Sequence, residues 1–418
     1  MTRFFVAENG QENEIKSLNG RLNDAADAAP SPDERLAELR FFQETGRLSD
    51  WQRPVAETMR RAGLGEGYTV AEWADIAWYG PLDSWLCPGS RVSDIFIDGP
   101  NRTVVVVEAG NRSDTGIRVC DEWLRWTQRQ LLLRAGFVTA AHPDDWRSDD
   151  GQIVHALHGT ADRRLRFAIT RPPYTPDGAT VAVRVLPNRW RTIDDLAQQD
   201  TGVLPRDAAE LLLEAIRRGV TLLIAGGAGS GKTSLTAALL QAIAAEKRII
   251  IIEEARELPL PLDGMAVEVL RSRSSFASCV RLTLRQRPDL IVLGEVRGPE
   301  ALAMLEAAAT GHPGICTIHA PDALTALRNL ERFATLDGLA APGIIRGLIT
   351  SGAVPLIALH IGTYGGRRRV GQIIEVIVTS GSQVGDVLPH NTLFAFNPAT
   401  NRLERKYPVQ GAWGKGRL

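Results

Sequence analysis

Lysine is nearly absent from this sequence. Lys16, Lys232, Lys247, Lys406 and Lys415 are its five lysines among 48 basic residues, and arginine supplies the rest. Cysteine is scarce too: Cys87, Cys120, Cys279 and Cys316 form no C-x-x-C pair. That spacing excludes a zinc ribbon and a thioredoxin-like redox site, and it suits a reducing compartment. No run of about 18 or more apolar residues occurs, so no membrane-spanning helix is expected. The opening MTRFFVAENGQENEIK lacks an apolar core of signal-peptide length, so export is not expected. An excess of one charge is missing as well. At a net charge of −1, bulk electrostatics give no pull towards nucleic acid or anionic lipid. Internal repeats and low-complexity tracts are absent. What remains is an ordinary globular composition, 44% hydrophobic and 23% charged, in a chain of 418 residues. That length is enough for two or three domains.

Tryptophan usage divides the chain. Eight of the nine tryptophans fall between Trp51 and Trp190, and the ninth is Trp413. Residues 1–90 read as an extension, disordered at first and then helical, with amphipathic stretches such as VAETMRRAG and VAEWADIAW. Residues 91–190 read as a mixed α/β domain. VSDIFIDG and TVVVVEAG are strand-like around Asp98-Gly99-Pro100-Asn101, DEWLRWTQRQLLLRAG is helical, and RLRFAITRPP and TVAVRVLP are two further strands. Residues 191–205 form a polar linker. From 206 to 418 apolar strands alternate with helices: AAELLLEAIRRG, VTLLIAGG, KTSLTAALLQAIAA, RIIIIEE, DLIVLGE, PEALAMLEAAATG and GICTIHA. Continuously apolar strands separated by helices argue for a mostly parallel sheet covered on both faces.

The sharpest motif uses one of the rare lysines. Gly226, Gly227, Ala228, Gly229, Ser230, Gly231, Lys232, Thr233 and Ser234 contain G-x-x-x-x-G-K-[ST] in full, after an apolar strand and before a helix. Glycines let backbone N–H groups turn towards phosphate oxygens, the lysine reaches the β- and γ-phosphates, and the threonine holds Mg²⁺. About 60 residues on, the strand DLIVLG delivers Glu295 at its C-terminal end, where an acid meets Mg²⁺ or its water in such sheets. Glu253 and Glu254 end another apolar strand. From chemistry alone they are either a pair that polarises the attacking water or a charged loop. His312 and His319 flank GICTI; a histidine beside the nucleotide would sense the γ-phosphate, whereas an ordinary histidine is merely hydrogen-bonded. His155-x-x-His158 has no cysteine or carboxylate partner and is read as structural.

Taken in order, GGAGSGKTS, IIIEEAREL, LRQRPDLIVLGEVRGPEA and ATGHPGICTIHAPDALTALRNL resemble the P-loop, aspartate box, atypical Walker B and histidine box of the type II and type IV secretion ATPases. VSDIFIDGPNRTVVVV, the connector from TIDDLAQQD, RRRVGQIIEV and TLFAFNP extend the resemblance over about 90–400, nearest to the CpaF-like, Tad-pilus branch. The resemblance implies a RecA-like ATPase domain over 206–418 with a small C-terminal strand region. It also implies ATP and Mg²⁺ as cofactors, and a homo-hexameric ring at the cytoplasmic face of an inner-membrane platform. Glu295 would be the Walker-B acid, Glu253 or Glu254 would support water activation, and His319, with His312 nearby in the motif, would couple nucleotide to subunit movement. Arg166 and Arg184 stand where the family's nucleotide-facing arginines are expected. Pilus assembly or secretion is the function implied. A conjugative DNA-transfer ATPase of the VirB11 type, or a nucleotide switch without sustained turnover, is the alternative. The tetracysteine zinc motif of other branches is missing, and a nucleic-acid partner is not expected from the near-neutral charge.

Overall fold

The computed structural model describes residues 91–100, 102–108, 111–118, 152–158, 164–170, 175–186, 190–198, 202–254, 257–258, 265–270, 275–378 and 388–415, with Trp85, Leu124 and Gln128 besides. The expected helical extension over 1–90, and most of the helix expected from Asp121 to Gly136, lie outside the described residues. The chain divides into two units, Met1–Asn188 and Arg189–Leu418.

The first unit holds a six-stranded antiparallel sheet. Its strands are β1 (Val92–Ile97), β2 (Thr103–Glu108), β3 (Asn111–Arg118), β4 (Gln152–His158), β5 (Arg164–Thr170) and β6 (Thr180–Leu186). They are ordered β3-β2-β1-β6-β5-β4. Four of these are the expected strands. The other two, β3 and β4, carry polar or mixed sequence and form the two edges, where one side needs no apolar partner. On the inner strands every second residue is buried: Ile95 and Ile97, Leu165, Phe167 and Ile169, Val181 and Val183. The intervening residues share the other face. There Asp94, Arg184 and Arg166 stand in one transverse row, because Asp94 is paired with Arg184 and Arg184 with Arg166.

The second unit opens at α1 (Ile193–Leu196), inside the expected linker. Thr192 Oγ1 accepts from Asp195 N, while the Asp195 carboxylate accepts from Thr192 N. This reciprocal pair satisfies two N-terminal donors and starts even a single turn. Its nine strands are β7 (Thr221–Ala225), β8 (Arg248–Glu253), β9 (Met265–Leu270), β10 (Leu290–Val296), β11 (Gly314–Ile318), β12 (Leu356–Tyr364), β13 (Arg367–Val376), β14 (His390–Asn397) and β15 (Arg402–Arg405). The order is β15-β14-β13-β12-β7-β11-β10-β8-β9. From β9 to β12 every neighbour is parallel, and β13, β14 and β15 append antiparallel. The sheet is therefore mixed, with the expected parallel part at its centre.

Helices cover both faces, which is why β7 and β11 are buried along their whole length. Leu222, Ile224, Ile251 and Leu359 pack with α1, α2 (Arg206–Arg217) and α3 (Lys232–Ile243). Leu223, Ile252, Leu293 and Ala358 face α4 (Phe276–Thr283), α5 (Glu300–Ala309), α6 (Ala323–Ala334) and α7 (Pro342–Thr350). The fit is tight at Gly314, where a Cβ would run into the Met304 side chain from α5. No helix among the described residues is long and apolar enough to cross a membrane.

The last ten described residues are pinned by one carboxylate. Glu375 on β13 is fully buried. Glu375 Oε1 accepts from Asn391 Nδ2 at 2.8 Å and Gln410 N at 2.6 Å, and Oε2 accepts from Gly411 N at 3.1 Å. Beyond it Trp413 is buried, and its carbonyl accepts from Arg218 Nη1 at 2.8 Å.

Candidate active site

Register brings the chemistry to one edge. Ala225 of β7 stands beside Ile318 of β11 and His360 of β12, while Ile252 of β8 stands beside Leu293 of β10. The parallel strands thus end together, and the residues that follow them meet at their C-terminal ends, where ligands bind in open α/β sheets.

The loop after β7 is the P-loop. Gly226 sits at φ 157°, Gly229 at 67° and Gly231 at 110°, conformations that favour glycine. A Cβ on Gly226 would run into the Ile361 carbonyl and Ser230 Oγ. Gly227, Ala228 and Gly229 form the exposed crest, and Ser234 lies half-buried in the first turn of α3. Ser230 Oγ is buried with no hydrogen-bond partner. The glycine cradle and this orphaned hydroxyl, at the N-terminus of α3, fit a polyphosphate. Lys232 is 9% exposed, and its Nζ donates to Gly226 O and Gly227 O at 2.8 Å each. Burial lowers its pKa from the ordinary 10.5, with Glu295 opposing and Arg297 adding to the shift.

Glu295 ends β10 beside that lysine. Its Oε1 lies 3.1 Å from His319 Nε2, and its Oε2 accepts from Arg297 Nη2. Arg297 also lies 4.0 Å from Glu254 Oε2, so it spans the two expected acidic positions. The turn carrying it is fixed by buried Glu300, whose Oε1 accepts from Arg297 N at 2.6 Å and Gly298 N at 2.9 Å. Arg297 was no sequence candidate. The available signal was a cation two residues past a strand-terminal acid.

The two expected carboxylates separate. Glu253 is 4% exposed, lies against Gly294, and accepts from Leu258 N at 3.1 and 3.2 Å. Glu254 is exposed and faces Arg297. The two histidines separate as well. His319 follows β11 at the P-loop edge. His312 precedes β11 at the opposite edge, with Nδ1 3.4 Å from Thr310 Oγ1. Five strand residues span about 17 Å, so the two histidines, neighbours in the motif, stand at opposite ends of β11. Arg166 and Arg184 belong to the first unit, where Arg184 Nε pairs with Asp94 Oδ1 at 3.0 Å.

Burial lowers the His319 pKa from the ordinary 6.5, the Lys232 ammonium adds to this, Glu295 opposes it and Arg297 adds again. A second histidine flanks β7 on its other side. His360 is buried, with Nδ1 2.7 Å from Tyr364 Oη. Burial lowers its pKa too, with Asp322 opposing and Lys232 adding. Asp322 caps α6, accepting from Thr325 N at 2.7 Å. This gives a signed prediction. The folded chain holds His360 neutral at a pH where the unfolded chain protonates it, so unfolding takes up protons. Stability then rises with pH through the region below 6.5 and is lost on acidification. Urea midpoints measured between about pH 5 and 8 are expected to show that slope, and His360→Gln is expected to flatten it.

Residues 92–358 match the family described as type II/IV secretion system proteins. A protein of Mycobacterium tuberculosis named for conjugal transfer is 31% identical over 299 residues, covering 69% of this chain and 82% of that protein. The conjugal transfer protein TrbB of Rhizobium radiobacter is 32% identical over 242 residues, covering 54% of this chain and 72% of that protein. Among solved structures, the pilus retraction motor PilT with bound ADP superposes with a TM-score of 0.51 at 22% identity, covering 69% of this chain and 80% of that one.

Proposed function

Because this chain belongs to the family of type II/IV secretion system proteins, we propose that its ATPase activity drives a transfer machine of the conjugal type. It would act as a ring of six copies at the cytoplasmic face of an inner-membrane platform, moving nucleic acid or a nucleoprotein. The observation that carries the ATP chemistry is the convergence of Lys232, Glu295, His319 and Arg297 at the P-loop edge. The conjugal reading draws support from the relatives named for conjugal transfer. The Tad-pilus reading rests on the motif resemblance and shares the same motor chemistry.

ATP enters with its phosphates on the N–H groups of 227–232. Lys232 leaves the carbonyls of Gly226 and Gly227 for the phosphate oxygens, and the lower cost of desolvating it in a buried loop is already met in the fold. Thr233 and Glu295 would hold Mg²⁺, which draws charge from the transferring phosphoryl group when bound. Glu253, held by Leu258 N, faces the same end and would orient the attacking water. His319, within reach of Glu295, would report loss of the γ-phosphate to the loop leading into α6, whose Asn329 Nδ2 holds the His319 carbonyl at 3.2 Å. The family resemblance assigns Arg166 and Arg184 a nucleotide-facing role, in which a guanidinium would stabilise transition-state charge.

Mg²⁺-ATP hydrolysis across protein concentration, with size measured by light scattering, tests the motor. Turnover is expected to rise as the ring assembles; a strictly monomeric protein with undiminished turnover would sink the ring. In the native host, loss of DNA transfer with surface filaments intact is expected for the gene deletion. The reverse pattern would move the assignment to pilus assembly.

A further inference from the structure

The order of strands gives the bound nucleotide a direction. Glu253, Glu295 and His319 end β8, β10 and β11, all on one side of β7. The γ-phosphate must lie on that side, because the reacting groups are there. An extended triphosphate then carries its nucleoside to the other side of β7, where β12 stands.

β12 is built to receive it. Its first five residues, Leu356–His360, pair with the whole of β7. The last four, Ile361 to Tyr364, run on past the P-loop. The Ile361 carbonyl packs against Gly226, and Ile361 Cδ1 would lie 3.3 Å from a Cβ on Gly231. At the tip stands the half-buried ring of Tyr364. Its Oη is 2.7 Å from His360 Nδ1, and its ring centroid is 5.2 Å from that of Phe396. Two glycines clear the space it needs. A Cβ on Gly371, at the bulge of β13, would run into the Tyr364 ring, and a Cβ on Gly362 would lie 2.8 Å from His360 Cε1. An aromatic ring fixed by a hydrogen bond, a ring contact and two cleared positions is pre-organised for stacking.

We infer that the tip of β12 is the nucleobase subsite, with Tyr364 as the stacking platform. The inference rests on the ATPase reading and deepens it. Among the described residues on this side of the P-loop, β13 begins Arg367, Arg368, Arg369, and the ring at the end of β14, Phe396, is packed on Tyr364.

The test compares two ligands on the full chain by calorimetry with Mg²⁺: the non-hydrolysable ATP analogue adenylyl imidodiphosphate and inorganic tripolyphosphate, which has no base. Tyr364→Leu keeps volume and apolar packing but removes the ring. It is expected to weaken the analogue by about fivefold to 150-fold, the range for one base–aromatic stack, and to leave tripolyphosphate unchanged. Tyr364→Phe, which keeps the ring, is expected to bind the analogue within about threefold of the parent. Equal weakening of both ligands would make Tyr364 a prop of the P-loop and overturn the subsite. So would an unchanged analogue affinity in Tyr364→Leu. Should the parent chain bind neither ligand, the ATPase reading itself falls, and that outcome is distinct because it precedes any substitution.

Discussion

Glu295→Gln is expected to cut ATP turnover by at least about 100-fold while ATP stays bound. The carboxylate lies 3.1 Å from His319 Nε2, accepts from Arg297, and sits close enough to Lys232 to oppose the fall in its pKa. Glutamine keeps the volume and one carbonyl oxygen, so β10 and its register should persist. What disappears is a negative charge among three groups that are, or can become, positive. On the proposed mechanism Mg²⁺ would lose a counter-charge, whereas the glycine cradle and Lys232 keep their places. Binding calorimetry beside single-turnover hydrolysis separates the two effects. Lys232→Ala should behave in the opposite way, losing affinity for nucleotide first. Turnover within about threefold of the parent in Glu295→Gln would remove this residue from the chemistry.

The second large effect is on stability. Glu375→Ala is expected to cost about 2–4 kcal/mol. The carboxylate is fully buried and accepts three N–H donors. Each hydrogen bond to a charged acceptor contributes roughly 1.5–3 kcal/mol. Removal also relieves the desolvation of the carboxylate, which offsets part of that sum. Alanine strands Gln410 N and Gly411 N without an acceptor and leaves Asn391 Nδ2 with the Pro408 carbonyl. The segment that carries Trp413 then loses its anchor on β13, and the Asn391–Pro408 hydrogen bond, the Arg218 contact and the packing of Trp413 remain to hold it. A lower urea midpoint with early proteolytic loss of the C-terminus is the expected result. Glu375→Gln, which keeps one acceptor oxygen, should fall between the two.

The parts legible in the sequence were those encoded by consecutive residues. Lys232 follows the six loop residues 226–231, Glu295 ends an apolar run, and Glu253 and His319 end two others, so each lands at the edge by strand geometry alone. His312 looked equivalent to His319 because both flank β11. A strand separates its two ends in space, and sequence adjacency conceals that. Arg297 and the His360–Tyr364 pair were harder, since their partners come from other strands and from a bulge. Within LIALHIGTY the histidine reads as a lone polar residue in an apolar strand. Only the register with Ala225 puts it beside the P-loop. β3 was missed because NRSDTGIR has no apolar alternation, as befits a strand with one neighbour. Strand β9 lay beyond the alternating pattern for a related reason, as the outermost member of its sheet.

The terminal strands have a further consequence. An unpaired strand edge invites another chain to add on, and natural proteins discourage this with short strands and charge. In the second unit β15 is four residues long and carries Arg402, Glu404 and Arg405, followed by Lys406. In the first unit β3 displays Arg112 and Asp114. These two borders offer no flat apolar template, so fibril growth from them is disfavoured. The opposite borders differ: β4 reads QIVHALH and β9 reads MAVEVL, with little charge in either. Each sheet thus guards one of its two edges with charge, and a strand adding on would meet the least repulsion at the other.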